Sequence, residues 1–196
     1  MRKSVQHLQN IDVQDEYGTP NVELRKAMMN YDVLPFLDVC TNDANAKFQN
    51  YFTKEDDALT KEWNCDFFMN PPYSRVTEFI EYAFKQHRKH NVTALILTYS
   101  KTDTKWWHDY VEQYAEIHFI KGRVQFNDKD GKPVLNKNPE SKSFGKRQSA
   151  PYPSCWIIFR RTDLKCEACD TNPLFYNQIV CDFCNENTKP EDLCFD

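Results

Sequence analysis

Glycine is scarce in this chain, with four residues in 196. The four are too scattered to form the Gly-rich turn that cradles a nucleotide phosphate, so a cofactor held by its phosphates is disfavoured. No stretch approaches the roughly 18 apolar residues needed to cross a bilayer. The amino terminus, Met1-Arg2-Lys3-Ser4-Val5-Gln6-His7, lacks the apolar segment of a secretory signal. The expectation is a protein without a membrane segment, cytoplasmic or nuclear. A surplus of positive charge is missing too: the net charge of −4 argues against bulk coating of nucleic acid, yet leaves room for a local basic surface. Repeats and low-complexity segments are absent. What is present suffices for a packed core, since 40% of residues are hydrophobic and 14% aromatic. The length fits one ordinary domain with a small appendage.

The most informative segment is Asp66-Phe67-Phe68-Met69-Asn70-Pro71-Pro72-Tyr73-Ser74. An apolar strand runs straight into a side-chain amide, two prolines and an aromatic ring. At the carboxyl end of a strand in an open α/β sheet, that is a ligand-binding edge. The residue types suit the gripping of a planar NH2 group. The Asn70 amide oxygen and the Pro71 carbonyl can accept hydrogen bonds from such an amine. Proline fixes φ and carries no N–H, so a carbonyl can face a substrate without an internal partner. Tyr73 can stack on the ring that bears the amine, a contact of roughly 1–3 kcal/mol.

Periodicity orders the remainder. Thr19-Pro20 opens a helical pattern through Val22, Leu24, Ala27 and Met28, with Pro20 at the first helical position. Residues 33–40 read as a buried strand reaching Asp38-Val39-Cys40. Phe67–Met69 is a strand, 76–88 an amphipathic helix, 92–98 a strand covered on both faces and 104–114 a helix. Residues 116–120 form a short strand, and 124–126 with 155–159 a late strand pair. Strands alternating with helices predict a mostly parallel twisted sheet. The stretch from Asp38 to Asp66 is too short for two full crossovers, so the helices there must be abbreviated. Residues 1–16 read as a loose arm, and 127–153, with four prolines, as a long polar loop. Between Lys121 and Arg147 eight Lys/Arg stand against three acids. That basic loop, with Arg75 and Lys101 just after strand ends, is suited to phosphates. His87 and His90 are expected on a solvated helix face.

Of eight cysteines, Cys40, Cys65 and Cys155 lie in apolar segments as small buried side chains, and the rest crowd the carboxyl terminus. Cys166-x2-Cys169, eleven residues, then Cys181-x2-Cys184 has the spacing of a four-cysteine zinc knuckle. About thirty residues bury too little apolar surface to fold alone, so a structural zinc with four protein ligands is the expected organiser. The division is therefore 1–162 as one domain and 163–196 as a zinc-binding module.

Several segments, in order, resemble one family, the phage-type DNA N6-adenine methyltransferases (Dam-like). Glu16-Tyr17-Gly18-Thr19-Pro20 resembles the family's aromatic-x-Thr-Pro opening. Leu37-Asp38-Val39-Cys40 resembles its first cofactor strand, and Asn45-Ala46, Tyr51-Phe52-Thr53, Asp57-Ala58-Leu59 and Trp63 follow in register. Asn70-Pro71-Pro72-Tyr73-Ser74 matches its catalytic motif, and Thr102-Asp103-Thr104, Trp107-His108 and Gly122-Arg123-Val124-Gln125-Phe126 lie downstream. The resemblance covers about residues 11–161. It implies a Rossmann-like, S-adenosylmethionine-dependent methyltransferase fold acting on a flipped-out adenine in DNA. Catalysis would fall to Asn70, Pro71, Pro72 and Tyr73. The cofactor would be met by Tyr17, Thr19, Pro20, Asp38, Val39, Cys40, Asp57 and Asn70, with Asp38 at its methionine amine and Asp57 at its adenine. DNA would be met by Tyr73, Ser74, Arg75, Lys101 and Arg123. The Gly-rich turn common after the first strand of methyltransferases is replaced here by Asp38-Val39-Cys40-Thr41-Asn42-Asp43. Asn-Pro-Pro-Tyr is shared with enzymes acting on RNA, cytosine N4 or a protein glutamine amide. Those substrates, and a catalytically silent binding module, stay open at the level of sequence.

Overall fold

The computed structural model describes residues 15–162. Six strands form one sheet in the order β2-β1-β3-β4-β6-β5. They are β1 (Leu37–Asp38), β2 (Asn50–Tyr51), β3 (Phe67–Met69), β4 (Ala94–Tyr99), β5 (Glu116–Phe119) and β6 (Ser154–Phe159). β1 pairs in parallel with β2 and β3, and β3 in parallel with β4. β6 runs antiparallel between β4 and β5. Five strands therefore share one direction, and the mixed α/β architecture is that of a mostly parallel sheet.

Alternation along the strands divides the apolar residues between two faces. Phe67, Met69, Ala94, Ile96, Ile157 and Phe159 join one core with Trp63, Trp106 and Trp107, under helices α2 (Val76–His90) and α3 (Lys105–Tyr110). Phe68, Leu95, Leu97, Tyr99, Trp156 and Ile158 join the other, with α1 (Asn21–Tyr31) and residues Val124, Phe126 and Ala150. A sheet covered on both sides explains why β4 and β6 are buried at every position.

Between β1 and β3 the abbreviated helices take an extreme form: turns and one 3-10 turn (Ala58–Thr60). That turn is pinned by Trp63, whose indole donates to the Ala58 carbonyl at 3.0 Å and whose backbone N–H donates to Gln86 Oε1 at 2.8 Å.

Four expectations need correction. Pro20 is the cap of α1 and not its first residue, with φ −63° and ψ 135°, outside the helical region. Residues 104–114 are helical only to Tyr110, and Val111 is the helix's carboxyl cap, its N–H donating to the Trp107 carbonyl. Val124–Phe126 is extended but is not a sheet strand. Its carbonyls are taken by loops, Val124 O from Ala150 N at 2.7 Å and Phe126 O from Val134 N at 3.3 Å. β6 is occupied on both sides by β4 and β5, leaving no edge for it. Finally, His87 is buried, because its Nδ1–H donates to the Val92 carbonyl at 2.7 Å and its ring stacks on Phe159. Among the early cysteines Cys155 is buried and Cys40 and Cys65 are half-buried. The polar loop 127–153 is ordered by bridges Asn127↔Pro133 and Leu135↔Arg147. Cys166, Cys169, Cys181 and Cys184 lie outside the described residues.

Candidate active site

β1, β3 and β4 run the same way, so Asp38, Asn70 and Tyr99 come out at one edge of the sheet. β3 ends at Met69 because Pro71 and Pro72 cannot donate to a ladder, and the chain turns through a 3-10 segment (Tyr73–Arg75) into α2. Asn70 is held just inside this edge, only 9% exposed. Its Nδ2 donates to the Tyr17 carbonyl at 2.6 Å, and its Oδ1 accepts from the Tyr73 hydroxyl at a long 3.4 Å. The Tyr17 carbonyl thus fixes the orientation of the amide: the oxygen remains the acceptor. Among the described residues no donor reaches the Pro71 carbonyl. Two acceptors are therefore available side by side in sequence, as the gripping of an NH2 group requires.

Tyr73 lies parallel to Tyr99, ring centroids 3.8 Å apart at 6°, and meets Phe126 edge-on. One face of Tyr73 is thus covered by Tyr99. Ser74, expected to meet DNA, is engaged within the protein. Its backbone N–H donates to Asp15 Oδ1 at 2.9 Å, and its hydroxyl donates to Asp15 Oδ2. Asp15, placed by sequence in the loose arm, is instead the cap of the turn that follows the catalytic motif. Arg75 pairs with Glu78 at 2.7 Å and sits over the Phe79 ring, and Lys101 sits over the Tyr152 ring. Arg123 is exposed beside α1.

At the same edge, Asp38 closes β1. Its carboxylate is 1% exposed and accepts from the backbone N–H groups of Cys40 at 3.3 Å and Lys47 at 3.2 Å. Burial pushes its pKa up to about 7, against those two hydrogen bonds and the nearby Lys47 charge. Among the described residues no cation makes an ion pair with it. A buried acid that water cannot solvate and no cation contacts fits the ammonium group of S-adenosylmethionine. Burial and the Asp38 charge also push the Cys40 thiol up. Asp57 stands exposed in left-handed conformation (φ 50°), just ahead of buried Ala58. Its charge is felt at Arg75, which is felt in turn at Cys40, so Asp57 belongs to the same edge.

Three segments converge on Asn45, whose importance for packing the sequence does not disclose. Asn45 Nδ2 donates to the Asp128 carbonyl at 2.8 Å, while its Oδ1 is buried without a partner. A Cβ on Gly18 would lie 2.3 Å from that oxygen. Gly18 in turn exchanges two backbone hydrogen bonds with Asn127, at 3.0 and 2.9 Å. Thr19 Oγ1, 1% exposed, is likewise unpartnered. Close approach of the chain at Gly18 therefore ties the Tyr17–Pro20 strip to both the post-β1 loop and the basic loop.

A mostly parallel sheet carrying Asn-Pro-Pro-Tyr and a buried acid at its ligand edge is compatible with the Rossmann-like methyltransferases as a class. Comparison with known proteins makes this specific. Residues 7–165 match the profile of the family described as DNA N-6-adenine-methyltransferase (Dam), and the chain belongs to that family. It is 31% identical over 143 residues to the DNA N-6-adenine-methyltransferase of Haemophilus phage HP1 (strain HP1c1), covering 71% of this chain and 83% of that protein. It is 28% identical over 97 residues to the DNA N-6-adenine-methyltransferase of Escherichia phage T1, covering 48% of this chain and 40% of that protein. Among the described residues no helix is long and apolar enough to cross a membrane.

Proposed function

We infer that the protein is a DNA adenine-N6 methyltransferase, with S-adenosylmethionine as methyl donor. The observation that carries the reading is the oriented Asn70 amide, locked by the Tyr17 carbonyl so that its oxygen stays the acceptor next to a Pro71 carbonyl that no described donor reaches. When bound, the cofactor supplies an electrophilic methyl group, so the protein needs no nucleophile of its own. The adenine amine is a poor nucleophile because its lone pair is delocalised into the ring. Hydrogen bonds from N6 to Asn70 Oδ1 and Pro71 O favour a tetrahedral nitrogen and release that pair. Alignment of this kind is worth on the order of 7–11 kcal/mol of a barrier. Pro72 stiffens the turn, and Tyr73 stacks on the flipped base, which repays part of the few kcal/mol that flipping costs.

Asp38 anchors the methionine amine. Tyr17, Thr19, Pro20, Val39, Cys40 and Asp57 complete the cofactor's surroundings, Asp57 toward its adenine. Arg75, Lys101 and Arg123 meet DNA phosphates, and Ser74 acts through its bond to Asp15 by holding the turn. We further propose that residues 163–196 form a separate module in which Cys166, Cys169, Cys181 and Cys184 hold one zinc. Four thiolates in two Cys-x2-Cys pairs form a complete tetrahedral donor set, which makes that metal structural.

Incubation with methyl-labelled S-adenosylmethionine and unmethylated DNA, followed by digestion to nucleosides, tests the reaction. Label is expected in N6-methyladenine. Label in another nucleoside, or none on DNA while the cofactor binds, contradicts it.

A further inference from the structure

We propose that the groove between the first turn of α1 and the run Ile120–Asn127 is a phosphodiester site, holding the DNA backbone beside the reacting adenine. The proposal rests on the reading above that DNA is the substrate. The groove encloses about 470 Å³, and its polar lining includes Asn21, Lys121, Arg123, Gln125 and Arg147. It takes no part in the Asn70–Tyr73 site, none of whose residues line it.

Its chemistry is that of an anion site. Among the described residues Lys121, Arg123 and Arg147 enter no ion pair. Arg147 donates from Nη2 to Gln125 O and Asn127 Oδ1, each at 3.0 Å, which fixes its guanidinium against the wall. The one acid on the lining, Glu23, is engaged by Lys26 at 3.3 Å. None of the lining residues is aromatic, so a base would find nothing to stack on there, whereas a phosphate would find three cations.

Its position follows from the sheet. β5 runs parallel to β3, since β5 and β4 are both antiparallel to β6 and β3 is parallel to β4. The chain leaving β5 therefore reaches Lys121 at the same edge as Asn70. Along 123–127 the residues alternate: Val124 and Phe126 are 3% and 2% exposed, and Phe126 touches Tyr73, while Arg123 and Gln125 are exposed on the opposite side. One extended strip thus presents its apolar side to the catalytic tyrosine and its polar side to the groove. Gly18, joined to Asn127, directly follows the residue whose carbonyl holds Asn70. A strand of DNA gripped in the groove lies one layer of side chains from the motif.

The test is the salt dependence of DNA binding by the full-length protein, wild type against Lys121→Gln/Arg123→Gln. Lys85→Gln/Lys89→Gln, at the far end of α2, serves as a control that removes the same charge. Loss of two phosphate contacts is expected to flatten the slope of log K against log salt by about two. It should also raise KM for DNA on every sequence, with cofactor affinity unchanged. The control should keep the wild-type slope. Lys121→Arg/Arg123→Lys should restore the slope, which separates lost charge from misfolding. An unchanged slope in the groove variant, or equal flattening in groove and control variants, overturns the proposal while leaving methylation of DNA by the wild type intact. Failure of the wild type to bind or methylate DNA would instead overturn the assignment of the substrate.

Discussion

In the proposed cofactor role, Asp38 trades stability for binding. Its carboxyl is raised to about 7 by burial, so the native state keeps a proton that the unfolded chain releases from about pH 4 upward. Stability therefore falls as pH rises from about 4 to about 7, in total by on the order of 4 kcal/mol. The cofactor's ammonium needs the ionised form. Affinity for S-adenosylmethionine is expected to weaken about tenfold for each pH unit below 7. Asp38→Asn should abolish that binding, and its melting temperature relative to wild type should improve as pH rises from 5 to 8. Titration calorimetry and thermal melts at several pH values check both. A pH-independent affinity would remove Asp38 from the cofactor site. The acid at the end of β1 was legible in the sequence, because an apolar run ending in Asp is an unusual pattern. The raised pKa was not, since it depends on burial by residues distant in the chain. Asn45 was legible only as part of a family pattern. Its role as a buried bracket needs the approach of Gly18 and Asp128, 27 and 83 positions away.

At the scale of elements, the catalytic turn is held by something outside it. Asp15 caps the Tyr73–Arg75 turn across 59 residues, and Tyr17 orients Asn70 across 53. Asp15→Ala leaves the Ser74 N–H and hydroxyl without their partner, a loss of about 1 kcal/mol in stability. Because the turn carries Tyr73, kcat should drop by about tenfold, while cofactor affinity stays within about twofold; Asp15→Asn should recover part of the rate. Equal kcat in wild type and Asp15→Ala would reduce the contact to a surface bond. Gly18→Ala is expected to cost about 1–3 kcal/mol by pushing on Asn45, read as a lower melting temperature. Such long-range clamps escape periodicity, which reports only neighbours along one element. That is why residues 1–16 read as a loose arm, although Asp15 is anchored. Periodicity also misplaced His87, which falls among Lys85, Arg88 and Lys89 yet points inward to the Val92 carbonyl.

Across the whole molecule two buried groups pull stability in opposite directions with pH. His87 has its pKa lowered to about 4 by burial, so the unfolded chain binds a proton that the native state refuses. Its contribution is lost as pH falls from about 6.5 to 4, by about 3 kcal/mol. In that window Asp38 gains what His87 loses. Wild type should show a shallow pH dependence there, and Asp38→Asn a steep acid loss. The division of the chain carries its own expectation. Chelation should release one zinc per chain and expose four reactive thiols, with the melting of the 15–162 fold unchanged. Release of no metal would contradict the four-cysteine reading. Five of the six strands were readable from apolar runs; β2 was not, because Asn50–Tyr51 is a two-residue edge strand with no buried side chain. The partner of 155–159 was misread, because Val124–Phe126 has a strand's alternation but spends its hydrogen bonds on loops, and β5 pairs with β6 instead.

The central claim is that Asn70 acts as an oriented acceptor for the adenine amine. Single-turnover methylation of DNA by wild type, Asn70→Asp and Asn70→Ala, each saturated with cofactor, tests it most directly. Aspartate keeps an acceptor but loses the donor that binds the Tyr17 carbonyl, whereas alanine loses both. The predicted order of rates is wild type, then Asp, then Ala, with alanine slower than wild type by about 100-fold or more. An alanine variant as fast as the aspartate variant, or as fast as wild type, would contradict the account.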